Sequence, residues 1–217
     1  MGQPARDSRV TAIVIALELD REMVGRARAA NAMLRAGYPE GFSLDAERPA
    51  HISIYAGFVS TADLPKVYAA TGEVLANEPF TSWELNAINY YYIPLGPIGL
   101  AGIVIEPTLG LIRMQQDMID AAGPYTVETG AATAFFTTPS EPDIHPAVID
   151  YVAGFAGHTG KNFSPHVSIG LASTRYLDAL LAEPFNGFTF SPASAAVYQI
   201  GNFGTARKVL KALPLTP

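Results

Sequence analysis

Two short segments of the sequence place a histidine and a serine two positions apart. They are residues 51–54, which read His-Ile-Ser-Ile, and residues 166–169, which read His-Val-Ser-Ile. In a β-strand, residues i and i+2 point to the same face and lie roughly 6.5–7 Å apart. Each segment therefore presents an imidazole and a hydroxyl on one face and branched apolar side chains on the other.

This combination of side chains suits in-line displacement at phosphorus. The unperturbed pKa of imidazole is about 6.5, so one histidine can be neutral while the other is protonated at physiological pH. The neutral ring accepts a proton from the nucleophile, and the protonated ring donates one to the departing oxygen. Two hydroxyls can bond the non-bridging oxygens of the phosphate. The predicted catalytic residues are His51, His166, Ser53 and Ser168.

Neither a metal nor a cofactor is expected at this site. Each motif supplies one good metal ligand, its histidine, and the chain contains no cysteine. A single His-x-Ser segment is typical of any half-buried strand and would be interpreted as structural. The functional interpretation depends on the pair, because both motifs also carry a branched residue at the second position and isoleucine at the fourth.

The two motifs belong to a weak internal repeat. Residues 51–54, 60–64 and 78–80 are matched in the same order by residues 166–169, 173–177 and 183–185. Each copy reads as a strand, a capped helix and a turn into another strand. The sequence therefore predicts two αβ halves related by a pseudo-twofold axis.

Strands and helices alternate through the rest of the chain. The periodicity of apolar residues predicts strands at residues 11–19, 83–92, 98–105, 131–137 and within 188–213. Asp20 and Thr108 are the predicted N-caps of two helices, and Pro146 begins a third. This order, without the rhythm of a long parallel sheet, predicts an α+β fold with antiparallel-rich sheets and helices packed outside.

The paired motifs resemble those of the two-histidine (2H) phosphoesterase superfamily. That superfamily includes cyclic-nucleotide phosphodiesterases and bacterial proteins labelled RNA 2′,5′-ligases, and residues 163–165, Phe-Ser-Pro, support the likeness before the second motif. The resemblance implies one bilobal domain over residues 1–217 with both motifs facing a central cleft. It also implies metal-independent cleavage of 2′,3′-cyclic phosphates or related phosphodiesters.

Serine stands in both motifs where threonine is commoner in that superfamily. The substitution keeps the hydroxyl but removes a methyl group that stiffens χ1. We expect the role of the hydroxyl to survive with somewhat looser positioning.

The expected substrate is a small 2′,3′-cyclic nucleotide or an RNA end. Two alternatives remain open at this point: a phosphodiesterase or ligase of 2′,5′-linked or cyclic oligonucleotides, and a non-catalytic nucleotide-binding module. The irregular residues 123–163 are expected to shape the substrate end of the cleft, since long loops near a site often determine specificity.

Four further residues are candidates for binding the substrate. Tyr55 shares a strand face with the first motif, and Tyr92 belongs to a run of three tyrosines that offers a stacking surface. Tyr198 and Lys161 are candidates from the closing strand and from the loop before the second motif. Core packing for the tyrosines and solvated charge for the lysine are the alternatives. The other two histidines, His145 and His158, lack a hydroxyl at +2 and are expected at the surface or in a cap.

Composition limits the classes of partner. The 217 residues are 49% hydrophobic and 16% charged, which is typical of a folded protein, and the net charge of −6 argues against binding long duplex nucleic acid. The apolar run at residues 10–17 is too short for a bilayer span of about 20 residues. We expect a monomer with no membrane partner. The compartment stays open, with the cytoplasm favoured and a trimmed export signal as the alternative.

Overall fold

The protein, described by a computed structural model over residues 9–78 and 82–213, contains nine strands and five α-helices in those ranges. The strands are β1 (Val10–Leu19), β2 (His51–Ser60), β3 (Leu85–Leu95), β4 (Ile98–Ile105), β5 (Thr126–Val127), β6 (His166–Ser173), β7 (Phe188–Phe190), β8 (Pro192–Ile200) and β9 (Ala206–Leu213). The helices are α1 (Arg21–Gly37), α2 (Leu64–Ala76), α3 (Leu109–Ala122), α4 (Pro146–Gly154) and α5 (Thr174–Ala182).

The strands form one antiparallel sheet in the order β7-β3-β4-β6-β2-β1-β8-β9, with β5 added to β2. The two halves of this sheet meet where β6 lies beside β2, and they are joined by a single residue pair, Ile52 with Val167. The α+β class with two antiparallel halves is confirmed. The expected separate sheets are in fact continuous through this one pair.

A β-bulge follows the serine of the first motif. Ser53 pairs with Ala16 and Tyr55 pairs with Ile15, so Ile54 is the extra residue in β2. A bulge bends its strand and increases its twist. It therefore turns β2 away from its course immediately after the motif.

The second motif carries the same bulge. Ser168 pairs with Gly102 and Gly170 pairs with Ala101, which leaves Ile169 as the extra residue in β6. Gly170 has a φ of 132°, a conformation that glycine adopts far more readily than other residues. Because both strands bend at equivalent positions, β2 and β6 diverge and a cleft opens beside the pair that joins them.

Helix α1 holds the second bulge in place. It begins at Asp20, whose side chain accepts a hydrogen bond from the Met23 amide, and it packs against β6. The Nδ2 group of its buried Asn31 donates to the carbonyls of Phe42 and Ile169 at 2.9 and 2.8 Å.

The same side chain also fixes the loop that follows α1. The Oδ1 atom of Asn31 accepts a hydrogen bond from the Leu44 amide at 3.0 Å. A Cβ atom at Gly170 would lie 2.8 Å from Asn31 Nδ2. Asn31 thus ties the loop, the helix and the bulge together, and it depends on a glycine at position 170.

Most of the other element predictions are confirmed. Thr108 caps α3, Pro146 begins α4, and each motif strand is followed by a helix, as the repeat predicts. Pro79 and Phe80, which belong to the third repeated element, lie outside the described residues. None of the described helices is long and apolar enough to cross a membrane.

The strand predicted at residues 131–137 is wrong. Ala132–Ala134 forms a 3-10 turn, and the chain contacts β8 only through isolated bonds, such as that from the Phe136 amide to the Ile200 carbonyl at 2.8 Å. Two of the apolar side chains that suggested a strand, Ala134 and Phe135, are buried against the sheet without joining it, and Phe135 packs edge-on against Phe58.

Replacement of Asn31 by alanine is expected to lower the free energy of unfolding by about 2–4 kcal/mol, because it leaves three buried backbone groups without partners. Urea denaturation measures the change. The matched control is Asn77→Ala, which removes one exposed hydrogen bond to the Glu73 carbonyl and should cost less than about 1 kcal/mol. Equal losses in the two variants would contradict the role assigned to Asn31.

Candidate active site

The register between β2 and β6 brings the two motifs together on one face of the sheet. Since Ile52 pairs with Val167 in antiparallel register, His51 lies opposite Ser168 and Ser53 lies opposite His166. The four side chains all line one cavity of about 310 Å³. The structure therefore assembles the four predicted residues in a single site, and their catalytic role stays a prediction.

Backbone carbonyls fix the orientation of both imidazoles. His51 Nδ1 lies 3.0 Å from the Pro49 carbonyl oxygen, and His166 Nδ1 lies 2.8 Å from the Ser164 carbonyl oxygen. A carbonyl can only accept, so Nδ1 carries the proton in each ring. This leaves Nε2 of each histidine as the nitrogen that exchanges protons, and the two halves use the same device two residues before the histidine.

Burial makes protonation of both rings unfavourable. It lowers the pKa of His51 and of His166 below the ordinary value, because a charged imidazolium loses hydration there. For His51, the proximity of His166 lowers the pKa further, whereas Glu18 raises it. The carboxylate beside His51 makes the environments of the two rings unequal.

Glu18 approaches the site from the neighbouring strand. It pairs with His51 across β1 and β2, and its carboxylate accepts hydrogen bonds from the hydroxyls of Ser194 and Tyr198. Tyr198 is therefore engaged by Glu18 and is not among the residues that line the cavity. The structure places this tyrosine behind the site, because Glu18 holds its hydroxyl there.

Three other expected substrate contacts also lie outside the cavity lining. Tyr55 turns along β2 over Gly57 and packs against Phe155 with ring centroids 6.1 Å apart. Tyr92 donates to Asp178 at 2.7 Å, and Lys161 is exposed. Shared strand face and sequence proximity indicated these residues, but the side chains of Tyr55 and Tyr92 are engaged elsewhere in the fold. A role of Lys161 in binding the substrate stays a prediction.

Among the three consecutive tyrosines, Tyr91 is the one that contacts a motif histidine, although it does not line the cavity of about 310 Å³. Its ring contacts the His166 ring at a centroid distance of 5.0 Å and an interplanar angle of 63°. It also covers Gly102, where a Cβ atom would lie 2.4 Å from the Tyr91 ring. Among three consecutive tyrosines, the sequence signal that selects this one is the glycine paired with it on the next strand.

The expected surface or capping role of His145 and His158 is confirmed, since both residues are exposed. Sequence analysis missed that they also line the cavity, as all four histidines of the chain do. His145 also caps α4, as its Nδ1 accepts a hydrogen bond from the Ala147 amide at 3.2 Å. In the neutral ring the proton then sits on Nε2, the reverse of the arrangement in the two motifs. In the described parts of the chain, no group of three or more histidine, aspartate or glutamate side chains is arranged to hold a metal ion.

Residues 123–163 contribute a wall of the cavity through α4. Tyr151 of this helix is hydrogen-bonded to Ser53, and burial raises its pKa to about 12, so the phenol stays protonated. Helix α4 thus covers the site, unlike the outer position expected for the helices. The influence of this segment on substrate choice stays a prediction.

Phe203 lines the cavity from the turn between β8 and β9, and sequence analysis missed it. It adopts φ 55° and ψ 26°, a conformation that non-glycine residues seldom occupy. The side-chain oxygen of Asn202 accepts hydrogen bonds from the amides of Phe203 and His145, which couples this turn to the start of α4. The sequence Gly-Asn-Phe-Gly predicts a turn, but it does not show which side chain of that turn faces the cavity.

No family model matches the sequence, and no curated protein matches it. Among solved structures, TT0787 of Thermus thermophilus is similar over 94% of this chain and 98% of its own, with a TM-score of 0.53 and 14% identity. The chain has the fold of TT0787. LigT of E. coli in complex with NADP+ superposes with a TM-score of 0.49, 17% identity and coverage of 96% of this chain and 100% of LigT. Usb1 of Kluyveromyces marxianus superposes with a TM-score of 0.48 and 10% identity, over 98% of this chain and 100% of Usb1. Likeness to TT0787 establishes the architecture that carries the site.

The protein should become less stable as the pH is lowered through the range in which the two motif histidines are protonated in the unfolded chain but remain neutral in the folded one. The unfolded chain takes up protons below a pH of about 6.5, whereas the folded rings resist protonation because their pKa is lowered. The free energy of unfolding therefore decreases between pH 7 and pH 5. Urea denaturation at both pH values should show a smaller decrease in the double variant His51→Gln, His166→Gln. An unchanged pH dependence in that variant would contradict the assignment.

Proposed function

We propose that this chain is a phosphoesterase of the 2H superfamily that hydrolyses 2′,3′-cyclic phosphates of small nucleotides or RNA ends. The observation that carries the proposal is the pair of imidazoles, each with its Nδ1 bonded to a backbone carbonyl, facing one cavity with a serine beside each. Two proton-transfer groups with two hydroxyl donors are what an in-line displacement at phosphorus requires.

The proposed reaction needs no group beyond water and these side chains. One histidine takes a proton from water through Nε2 as the water oxygen forms a bond to phosphorus. The bond from phosphorus to one ribose oxygen breaks, and the other histidine gives its Nε2 proton to that oxygen. The hydroxyls of Ser53 and Ser168 donate to the non-bridging oxygens, where negative charge grows. The product is a nucleoside monophosphate.

We assign His51 as the acid and His166 as the base on one charge, the carboxylate of Glu18, which raises the pKa of His51 against the lowering by burial and by His166. Glu18 pairs with His51 and stabilises its protonated form, while the ring of Tyr91 contacts His166. An acid must begin the cycle protonated and a base must begin it neutral. The unequal surroundings thus support a division of roles that the two similar motifs leave undecided.

Replacement of either His51 or His166 by alanine should lower kcat by about 10²-fold or more with the four nucleoside 2′,3′-cyclic phosphates, because an acid or a base is lost. Ser53→Ala and Ser168→Ala should lower kcat by smaller factors. The control is Ser60→Ala at the far end of β2. Near-normal turnover in either histidine variant would refute the proposal.

Wild-type activity should persist in a chelator and follow a bell-shaped pH profile. Because burial lowers both pKa values, the optimum of kcat/KM should lie below neutral pH. Loss of activity in chelator would favour a metal enzyme instead. Turnover confined to 2′,5′-linked or cyclic oligonucleotides would favour the related oligonucleotide activity, and nucleotide binding without turnover would favour a binding module.

Glu18→Gln should shift only one limb of that profile. Removal of the carboxylate lowers the pKa of His51, since Glu18 raises it, so the alkaline limb should move to lower pH while the acidic limb stays in place. The matched control is Ser194→Ala, which removes a hydrogen bond to Glu18 but keeps its charge. A shift of the acidic limb instead would reverse the roles of the two histidines.

A further inference from the structure

A second cavity adjoins the active site and has no role in the proposed proton transfers. Its volume is about 240 Å³, and it shares five lining residues with the first cavity: Ser53, Ile93, Tyr151, His158 and His166. We call it the inner chamber. The residues that line only this chamber are Tyr91, Gln115, Phe155, Asn162, Phe163 and Ser164.

Gln115 places a fully buried amide in the wall of the inner chamber, on an otherwise apolar helix face. It lies on α3 beside the buried Met114 and Met118, and its own side chain is 0% exposed. Its Nε2 donates to the His158 carbonyl at 2.8 Å, which fixes the orientation of the amide. Its Oε1 is buried and accepts no hydrogen bond from the described residues. A buried acceptor of this kind calls for a donor from a ligand or from water.

The hydroxyl of Tyr91 is the second polar group of the chamber that lacks a hydrogen-bond partner among the described residues. It is buried as well. Burial raises the pKa of Tyr91, so the hydroxyl keeps its proton and can donate it to an acceptor. The ring of the same residue contacts His166, which places this donor next to the catalytic pair.

The remaining walls of the chamber suit a flat, weakly polar group. Aromatic rings of Tyr91, Tyr151, Phe155 and Phe163 line it, and the Tyr151 and Phe155 rings pack edge-on at 5.5 Å. Aromatic walls with a few fixed polar groups are typical of sites for planar heterocycles. An acceptor on Gln115 and a donor on Tyr91 match a ring edge that carries one donor and one acceptor.

We propose that the inner chamber binds the nucleobase of the substrate, whose edge donates to Gln115 Oε1 and accepts from the Tyr91 hydroxyl. This inference rests on the proposed function, because the phosphate must occupy the first cavity for its base to enter the second. The shared lining by Ser53 and His166 provides the passage between them. Base recognition is thus assigned to α3 and β3 and not to the two motifs.

Binding of nucleoside monophosphates tests the chamber without any need for turnover. Isothermal titration with the four nucleoside 3′-monophosphates is compared with titration by glycerol 2-phosphate, which carries a phosphate but no base. Wild-type protein should bind at least one nucleotide more tightly than glycerol phosphate. Tyr91→Phe, which keeps the ring beside His166, should reduce that preference by about five- to tenfold. Gln115→Met should reduce it at least as much.

Tyr92→Phe is the matched control, because the next residue of β3 donates to Asp178 away from the chamber. It should leave the preference for the nucleotide unchanged. Thermal unfolding of each variant shows whether it is folded, and Tyr91→Phe decides the question if Gln115→Met is not. An unchanged preference in Tyr91→Phe, as expected if only water bonds its hydroxyl, would overturn the proposal.

The outcome for the chamber is separable from that for catalysis. If wild-type protein turns over no cyclic phosphate but Tyr91→Phe still weakens nucleotide binding, the chamber stands and the proposed reaction fails. If cyclic nucleotides are hydrolysed but nucleotide and glycerol phosphate bind equally well, the reaction stands and the chamber proposal is overturned.

Discussion

The site depends on one contact between the halves of the sheet, the pairing of Ile52 with Val167. Its antiparallel register sets each histidine opposite the serine of the other motif. Apolar side chains of both strands are buried on the other face, where a shift of one residue would move them into the cavity. The packing of the core therefore specifies the relative positions of the polar groups.

The two bulges explain why this register leaves room for a ligand. Without them, β2 and β6 would continue to pair, and the side chains beyond the motifs would close the space. The extra residues Ile54 and Ile169 bend both strands just after the serines. Asn31 and Gly170 stabilise the second bend from outside the site, so the geometry of the polar groups depends on residues that never face the cavity.

The catalytic candidates were predictable from the sequence because their chemistry repeats. The alternation in each motif is a local property of a strand, and the spacing of polar and apolar residues sets the faces directly. Helix caps such as Asp20 and Thr108 were predictable for the same reason. The predicted contacts with the substrate were harder to identify from the sequence, since they depend on how distant segments pack. Tyr91 and Tyr92 are neighbours in one strand, yet one contacts His166 and the other bonds Asp178.

Gln115 and Phe203 are two further residues whose place in the site depends on tertiary packing and could not be predicted from the sequence. A glutamine within an apolar helix face and a phenylalanine between two glycines carry no periodic signal of function. Only the tertiary arrangement reveals that one leaves an acceptor unpaired and that the other is held at a positive φ. The strand predicted at residues 131–137 is wrong for a different reason. Apolar composition indicates that a segment is buried, but it does not show that the segment pairs with a sheet.

The near-twofold relation between the motifs has a consequence for the direction of the proposed bond cleavage. A perfectly palindromic site would accept a cyclic phosphate in either of two opposed poses, and hydrolysis would then yield a mixture of regioisomers. Glu18 lies beside the histidine of the first motif only, on the strand that pairs with it. If the chain cleaves cyclic phosphates as proposed, the asymmetry that the flanking strand β1 contributes determines which ribose oxygen is released, and the duplicated residues themselves do not.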